Sequence, residues 1–318
     1  MRAAIINQYG DSNELEVVDI AVPVIKADEV LVENVATSIN PIDYKARQGL
    51  LQARFQWQFP VVLGWDVAGK IVAVGDDVDN FHVGDAVFAR PDIDLLGKNG
   101  SYAEYTAVKA DKLALKPENI SFETAAAVPL AGLTALQMLR QLQVKAGQKV
   151  LIQAGAGGVG IYAIQLAKKI GAYVATTASQ RNRDFVERLG ADQVIDYHLN
   201  NIVDVLSDYD AVFDMVGDID NGIAILKRGG HFVTVSAKLT EKQKQTAGKT
   251  VTEGWLDTNG KDLAILADAM ADGTLDVVLD SVYPLTTRGI RSAHERSETH
   301  HARGKIVVQV KVTEKEEK

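Results

Sequence analysis

The stretch that most restricts this chain is Gly155-Ala156-Gly157-Gly158-Val159-Gly160, set between the apolar run Val150-Leu151-Ile152-Gln153-Ala154 and the helical Ile161-Tyr162-Ala163-Ile164-Gln165-Leu166-Ala167. A glycine turn that leaves a strand and opens a helix offers free backbone N–H groups and the positive end of a helix dipole, which suits a phosphate. In this setting Gly155 permits the tight turn, Gly157 lets the backbone approach a pyrophosphate, and Gly160 lets helix and strand pack closely. A bare match of this kind also describes a turn that merely joins a strand to a helix. The sequence beyond it favours the first reading. Short, continuously apolar segments at residues 173–178, 193–196, 211–216 and 231–235 alternate with helical stretches, the pattern of parallel strands buried on both faces. The fold class is therefore α/β, with a doubly wound parallel sheet of the dinucleotide-binding kind. Residues 277–279 are expected to add a sixth strand, after a helix at 261–270.

The end of the second strand selects the dinucleotide. NAD-preferring sites place Asp or Glu there, about 20 residues past the glycines, to accept from the ribose 2′-hydroxyl. Here the segment reads Thr176-Thr177-Ala178-Ser179-Gln180-Arg181-Asn182-Arg183, with no acid before Asp184. Hydroxyl, amide and guanidinium donors suit a 2′-phosphate, so Ser179, Arg181 and Asn182 are expected to hold NADP (NADPH). Arg183 reads better as a solvent-facing helix residue.

The first 120 residues differ in character. β-Branched or alternating runs at 30–35, 67–74 and 102–108, separated by turns such as Gly75-Asp76-Asp77 and Gly84-Asp85, indicate a compact barrel-like β domain. Ser121 reads as the N-cap of a helix carrying Glu123 and the Ala125-Ala126-Ala127 run, and marks a change of domain. The closing Gly304-Lys305-Ile306-Val307-Val308-Gln309-Val310 alternates again. The expected organisation is thus residues 1–121 as a first catalytic part, 122–260 as the cofactor domain, and 261–318 as a strand completing the cofactor sheet followed by a return to the first domain. Residues 311–318 read as a charged, frayed tail.

Composition narrows the function. A chain of 318 residues with a net charge of −8 lacks the basic footprint of a nucleic-acid binder. It has no cysteine, which removes thiolate nucleophiles, disulfides, iron–sulfur clusters and cysteine-ligated zinc. No segment sustains ~18 apolar residues and the first residues lack a signal-peptide core, so neither a membrane partner nor export is expected, and the location expected is cytoplasmic. His294, His300 and His301 are read as exposed loop histidines without the spacing of a metal site.

At this point the sequence resembles the medium-chain dehydrogenase/reductase superfamily, and within it the zinc-free quinone oxidoreductase branch with its enone and alkenal reductases. The likeness covers nearly the whole chain. Its carriers are Asn40-Pro41-Ile42-Asp43-Tyr44-Lys45, Gly64-Trp65-Asp66-Val67-Ala68-Gly69, Phe81-His82-Val83-Gly84-Asp85-Ala86-Val87, Gly132-Leu133-Thr134-Ala135, the glycine loop, Gly190-Ala191-Asp192-Gln193-Val194-Ile195-Asp196-Tyr197 and the closing Gly304-Lys305-Ile306-Val307. The resemblance implies a Rossmann sheet inserted in a GroES-like β-barrel domain, and a homodimer joined through the cofactor domains. By similarity, Asn40 touches the nicotinamide side of the cofactor, Thr134 the nicotinamide ribose or diphosphate, and Tyr197 the adenosine end. Gly155, Gly157, Gly158 and Val159 cradle the diphosphate, while Val216 and Ser236 follow strands at whose carboxyl ends dinucleotides bind. Each of Asn40, Thr134, Tyr197, Val216 and Ser236 also has a plain reading as a packing residue.

Zinc-dependent members carry Cys and His ligands and a Cys-rich lobe. Here Asn40 stands in place of the first ligand, Trp65 in place of the histidine, and residues 92–100 are too short for the lobe. Lys45 replaces a tyrosine common in one branch, and resembles the enone and alkenal reductases more closely; it is a candidate to bond the nicotinamide ribose or polarise a carbonyl, with Tyr44 the nearest candidate proton donor. Without a metal as Lewis acid, an unactivated ketone lacks stabilisation of its alkoxide, whereas hydride addition to a quinone or an α,β-unsaturated carbonyl gives a delocalised oxyanion. The expected activity is NADPH-dependent reduction of such a small-molecule acceptor. The alternatives are a zinc-free alcohol or sugar dehydrogenase, and a protein that binds NADPH without turnover.

Overall fold

The computed structural model describes residues 1–311, so the expected tail, apart from Lys311, lies outside the described residues. Chain contacts divide the protein into two compact units, one formed by residues 1–131, 258–272 and 277 onward, the other by residues 132–257 and 273–276.

The first unit opens with β1 (Arg2–Ile6), β2 (Glu16–Asp19) and the long β3 (Glu29–Ile39), then the helix α1 (Pro41–Arg47). Pro41 starts α1 at the position where a missing N–H costs nothing, and the Asp43 carboxylate accepts from the Asn40 N–H at 2.5 Å. There follow β4 (Val61–Val62), β5 (Val67–Val74), β6 (Ala86–Ala89), β7 (Tyr105–Lys109), β8 (Leu113–Leu115) and α2 (Phe122–Ala126). Ser121 caps α2 as expected, its Oγ accepting from the Thr124 N–H at 3.1 Å. The change of unit nevertheless falls ten residues later, inside α3 (Pro129–Gln141), so α2 belongs to the first unit.

The second unit continues with β9 (Lys149–Ile152), α4 (Gly160–Ile170), β10 (Tyr173–Thr177), α5 (Arg183–Arg188), β11 (Gln193–Ile195), α6 (Ile202–Val205), β12 (Tyr209–Asp214), α7 (Ile219–Ala224), β13 (Leu226–Thr234), α8 (Glu241–Lys244) and β14 (Thr250–Glu253). Its sheet runs β11-β10-β9-β12-β13-β14 with every neighbouring pair parallel. This is the doubly wound order anticipated from the apolar runs. Val150, Leu151 and Ile152 at its centre have no exposed surface, and burying each contributes about 1.5–3 kcal/mol. The chain turns from β9 outward in both directions, which opens the crevice outside the strands' carboxyl ends where such sheets bind ligands.

The chain then returns to the first unit through α9 (Gly260–Ala271), β15 (Leu279–Pro284), α10 (Thr287–Glu298) and β16 (Lys305–Gln309). Here the structure corrects the sequence reading. The sixth strand of the parallel sheet is β14, not residues 277–279, and β15 instead pairs in parallel with β16. An edge strand needs only one buried residue, and in Thr250-Val251-Thr252-Glu253 only Val251 is buried, so its sequence signal is faint. The helix expected at 261–270 exists but lies against β8, with Gly260 so close to the Leu113 carbonyl that a Cβ would collide with it. Residues 258–272 therefore belong to the first unit rather than to a cofactor domain ending at 260. The larger sheet of that unit runs β15-β16-β3-β5-β6-β8 with β7 on β3, and a smaller one runs β2-β1-β4.

Candidate active site

The cofactor side is built at the carboxyl edge of the parallel sheet. From β9 the chain enters the glycine turn, where Ala154 takes a left-handed φ of 53° and the Gly155 N–H donates to the Thr177 carbonyl at 3.0 Å. A Cβ on Gly155 would run into Thr176 Oγ1 and lie 2.9 Å from Ile164 Cδ1; one on Gly160 would meet the Ala154 carbonyl and lie 2.7 Å from Gly155 Cα. Gly157 is different: its Cβ would touch only the Ala154 oxygen, at 3.2 Å. Gly155 and Gly160 are thus glycine for the protein's own packing, and Gly157 for what approaches from outside. The N–H groups of Gly158 and Val159 have no protein acceptor among the described residues, and both sit at the start of α4. Donors without partners at a helix start fit a diphosphate.

At the end of β10, Ser179 is 8% exposed and its Oγ has no hydrogen-bond partner among the described residues. A buried hydroxyl without a partner is costly unless something else completes it. Arg181 is exposed with no ion pair among the described residues, and Asn182 is half-buried beside it. These observations fit a ribose 2′-phosphate. Arg183 does not join them: its guanidinium donates to Gln180 Oε1 at 3.3 Å, Glu187 Oε1 at 3.4 Å and the Val194 carbonyl at 3.1 Å, as a helix-surface residue does. Tyr197, at the end of β11, is 51% exposed with its ring tilted against His198.

The turn after β12 reveals a residue that sequence reasoning missed. Asp214 is fully buried; its Oδ1 accepts from the N–H groups of Val216, Gly217 and Asp218 at 3.0, 2.8 and 3.2 Å. Its Oδ2 accepts from Thr234 Oγ1 at 2.6 Å and Ser236 Oγ at 3.2 Å. One carboxylate therefore shapes the loop carrying Val216 and orients Ser236. Val216 itself is 55% exposed, so it is no packing residue of the sheet edge. Thr134 lies on α3, largely buried.

The first unit holds a separate polar centre. Asn40, Asp43, Asp66 and Lys305 are all buried, and Asn40 lies between the two charges: Nδ2 donates to Asp66 Oδ2 at 2.7 Å while Oδ1 accepts from Lys305 Nζ at 2.5 Å. Asp66 also accepts from Ser38 Oγ at 2.5 Å and, on Oδ1, from the Leu130 N–H at 2.7 Å. Burial, reinforced by the Asp66 charge, pushes the Asp43 carboxyl up to about 8, and burial lowers the Lys305 ammonium against the pull of both acids. Trp65, at the position of the absent histidine ligand, is buried in an aromatic group with Phe55 and Trp57. Lys305, invisible as a site residue in the sequence, is brought to Asn40 by the pairing of β16 with β3.

Tyr44 stands apart from that centre, its ring edge-on to His300 with centroids 6.0 Å apart, and burial followed by the Glu298 charge makes its hydroxyl harder to ionise. Lys45 is half-buried with no ion pair among the described residues. His294 corrects the reading of a loop histidine: it lies in α10, fully buried. Its Nδ1 is 3.2 Å from Arg47 Nη1, which can only donate, so Nδ1 accepts and Nε2 carries the proton. Burial, and then the Arg47 charge, hold it well below the ordinary histidine range.

The family model described as alcohol dehydrogenase GroES-like domain matches residues 26–118, and that described as zinc-binding dehydrogenase matches residues 189–308. An Arabidopsis thaliana NADPH-dependent alkenal/one oxidoreductase is 39% identical over 97% of this chain and 79% of its own length. A quinone oxidoreductase from Coxiella burnetii superposes with a TM-score of 0.89 at 36% identity, over 98% of this chain and 99% of that one. An Escherichia coli quinone oxidoreductase, solved with NADPH, gives 0.87 at 28% identity over 98% and 100%. With the parallel sheet, the glycine turn and the GroES-like unit in agreement, the chain belongs to the medium-chain dehydrogenase/reductase superfamily, among the quinone oxidoreductases and alkenal/one reductases.

Proposed function

We propose that this protein is an NADPH-dependent reductase whose acceptor is a quinone or an α,β-unsaturated carbonyl. The observation that carries the reading is the buried hydroxyl of Ser179 beside Arg181, neither with a partner among the described residues, at a strand end with no acid, in a chain 39% identical to an NADPH-dependent alkenal/one oxidoreductase. Bound NADPH supplies a hydride. Gly155, Gly157, Gly158 and Val159 receive the diphosphate; Ser179, Arg181 and Asn182 the 2′-phosphate; Tyr197 the adenosine end. Thr134, Val216 and Ser236 line the ribose and nicotinamide portion, with Asn40 donating at the nicotinamide end. Where the family's zinc-dependent members place a Cys ligand, this chain has an amide already engaged by Asp66 and Lys305, which supports an acceptor whose oxyanion is delocalised rather than metal-bound.

Lys45 and Tyr44 are the proposed groups at the acceptor. Lys45 polarises the carbonyl oxygen, and Tyr44, protonated throughout the neutral range, donates a hydrogen bond or a proton to the product anion. The homodimer and the cytoplasmic location remain part of the proposal. Among the described residues no helix is long and apolar enough to cross a membrane, and several relatives are named as chloroplastic. A panel of quinones, enones, alkenals and alcohols, run with NADPH and NADH, tests the function. Rapid NADPH oxidation by the conjugated acceptors is expected; turnover of alcohols alone overturns the reading, and tight NADPH binding without turnover identifies a binding protein.

A further inference from the structure

Four side chains no more than 2% exposed meet at the junction of β3, α1 and β16: Ser38, Asn40, Asp66 and Lys305. The two charges among them form an ion pair, but a longer one than the bonds each makes to Asn40. Lys305 Nζ is 3.4 Å from Asp66 Oδ2, but 2.5 Å from Asn40 Oδ1 and 3.1 Å from the Ile39 carbonyl. Asp66 Oδ2 in turn has its short bonds to Ser38 and to Asn40 Nδ2, at 2.5 and 2.7 Å. The carboxamide is thus inserted between an ammonium and a carboxylate. An ammonium only donates and a carboxylate only accepts, so one orientation of the amide satisfies both, and the flipped one sets donor against donor and acceptor against acceptor. With one Nδ2 hydrogen committed to Asp66, a single N–H of fixed direction is left over.

We propose that Lys305 is a positioning residue for hydride transfer: acting opposite Asp66, it locks the Asn40 carboxamide so that its free N–H meets the nicotinamide end of the cofactor in one geometry. This rests on the role given to Asn40 above. Most of the affinity for a dinucleotide resides in its phosphates, whereas the nicotinamide's angle governs transfer. Loosening Asn40 therefore shows in kcat far more than in the KM for NADPH.

The test is a double-mutant cycle of Asn40→Ala and Lys305→Met, measuring kcat, the KM for NADPH and Tm with a quinone or enone that the wild type reduces. Lys305→Met is expected to lower kcat by about ten- to a hundredfold with the NADPH KM changed by less than about threefold. In the Asn40→Ala background the same substitution should change kcat by less than about twofold, because nothing remains to position. If the two losses multiply, Lys305 merely supports the fold and the proposal is overturned. Should Lys305→Met strand the Asp66 charge and fail to fold, Lys305→Met with Asp66→Asn removes both charges together while keeping an oxygen for Asn40 Nδ2. That variant should show the same kcat loss at a Tm close to wild type, and wild-type kcat in it refutes the proposal. If Asn40→Ala alone leaves kcat unchanged, the role of Asn40 is wrong and the proposal falls with it; a slow Asn40→Ala with a multiplicative cycle condemns only Lys305.

Discussion

Two glycines in one turn should answer to the same substitution in opposite ways. In Gly155→Ala the new methyl collides with Thr176 Oγ1, whose hydroxyl donates to the Ile152 carbonyl at 2.6 Å. Either the hydroxyl rotates away from that carbonyl, leaving a buried hydroxyl unpaired at about 1–3 kcal/mol, or the strands separate. Overpacking against Ile164 adds about 1–3 kcal/mol. The sum, about 2–6 kcal/mol, corresponds to a drop in Tm on the order of 10 °C. In Gly157→Ala the methyl faces only the Ala154 oxygen at 3.2 Å, and this glycine is not among those with positive φ. The fold should absorb it within about 1 kcal/mol, since a compatible Gly→Ala change also restricts the unfolded chain. The same methyl stands where a diphosphate must approach, so NADPH affinity should fall at least about tenfold, or ~1.4 kcal/mol. Thermal melts with and without NADPH, together with a fluorescence titration, separate the two effects. Wild-type NADPH binding by Gly157→Ala, or a wild-type Tm for Gly155→Ala, would refute the division of labour within the turn.

Arg181→Ala should raise the KM for NADPH about tenfold while leaving that for NADH unchanged, a comparison that steady-state rates decide. Asp214→Ala removes three N–H and two hydroxyl partners at once and should cost about 2–4 kcal/mol in a thermal or urea melt, with a weaker hold on NADPH. Asp43, raised from 3.8 to about 8, keeps its proton in the fold where the unfolded chain releases it, so its stabilisation is complete below 3.8 and is lost as pH rises towards about 8. Asp43→Asn should therefore gain Tm relative to wild type as pH rises across that window. His294 has the opposite sign: held neutral below its ordinary 6.5, it stabilises above that pH and ceases to as pH falls, so His294→Gln should flatten the acid side of the Tm profile.

The parts of this molecule that are legible in its sequence are those governed by local pattern. β5 was expected at 67–74 and forms there, and the glycine turn declared itself through its flanks. What stayed hidden depends on distant partners. β14 hides because an edge strand buries one residue, whereas the apolar residues near 278 look like a buried parallel strand until β16 arrives to pair with their neighbours. Ser179, Arg181 and Asn182 could be singled out by the absence of an acid, a local signal. Lys305 could not, since nothing near it in sequence mentions Asn40. Asp214 carried a faint cue, an acid closing an apolar run two residues before Val216-Gly217, but only the geometry of three converging N–H groups gives it meaning.

The pairing of β16 with β3 has a consequence for biosynthesis. Lys305 reaches a partner 265 residues earlier, so the first unit cannot be finished until the ribosome has released nearly the whole polypeptide. Until then a nascent chain carries Asp66 without its counter-charge and β3 with an open edge, a surface prone to wrong pairing. The second unit, formed largely from the continuous segment 132–257, has no such wait. A product clipped before residue 305 should therefore retain a folded nucleotide-binding half attached to an unfinished one, and be cleared by cellular proteases through the latter.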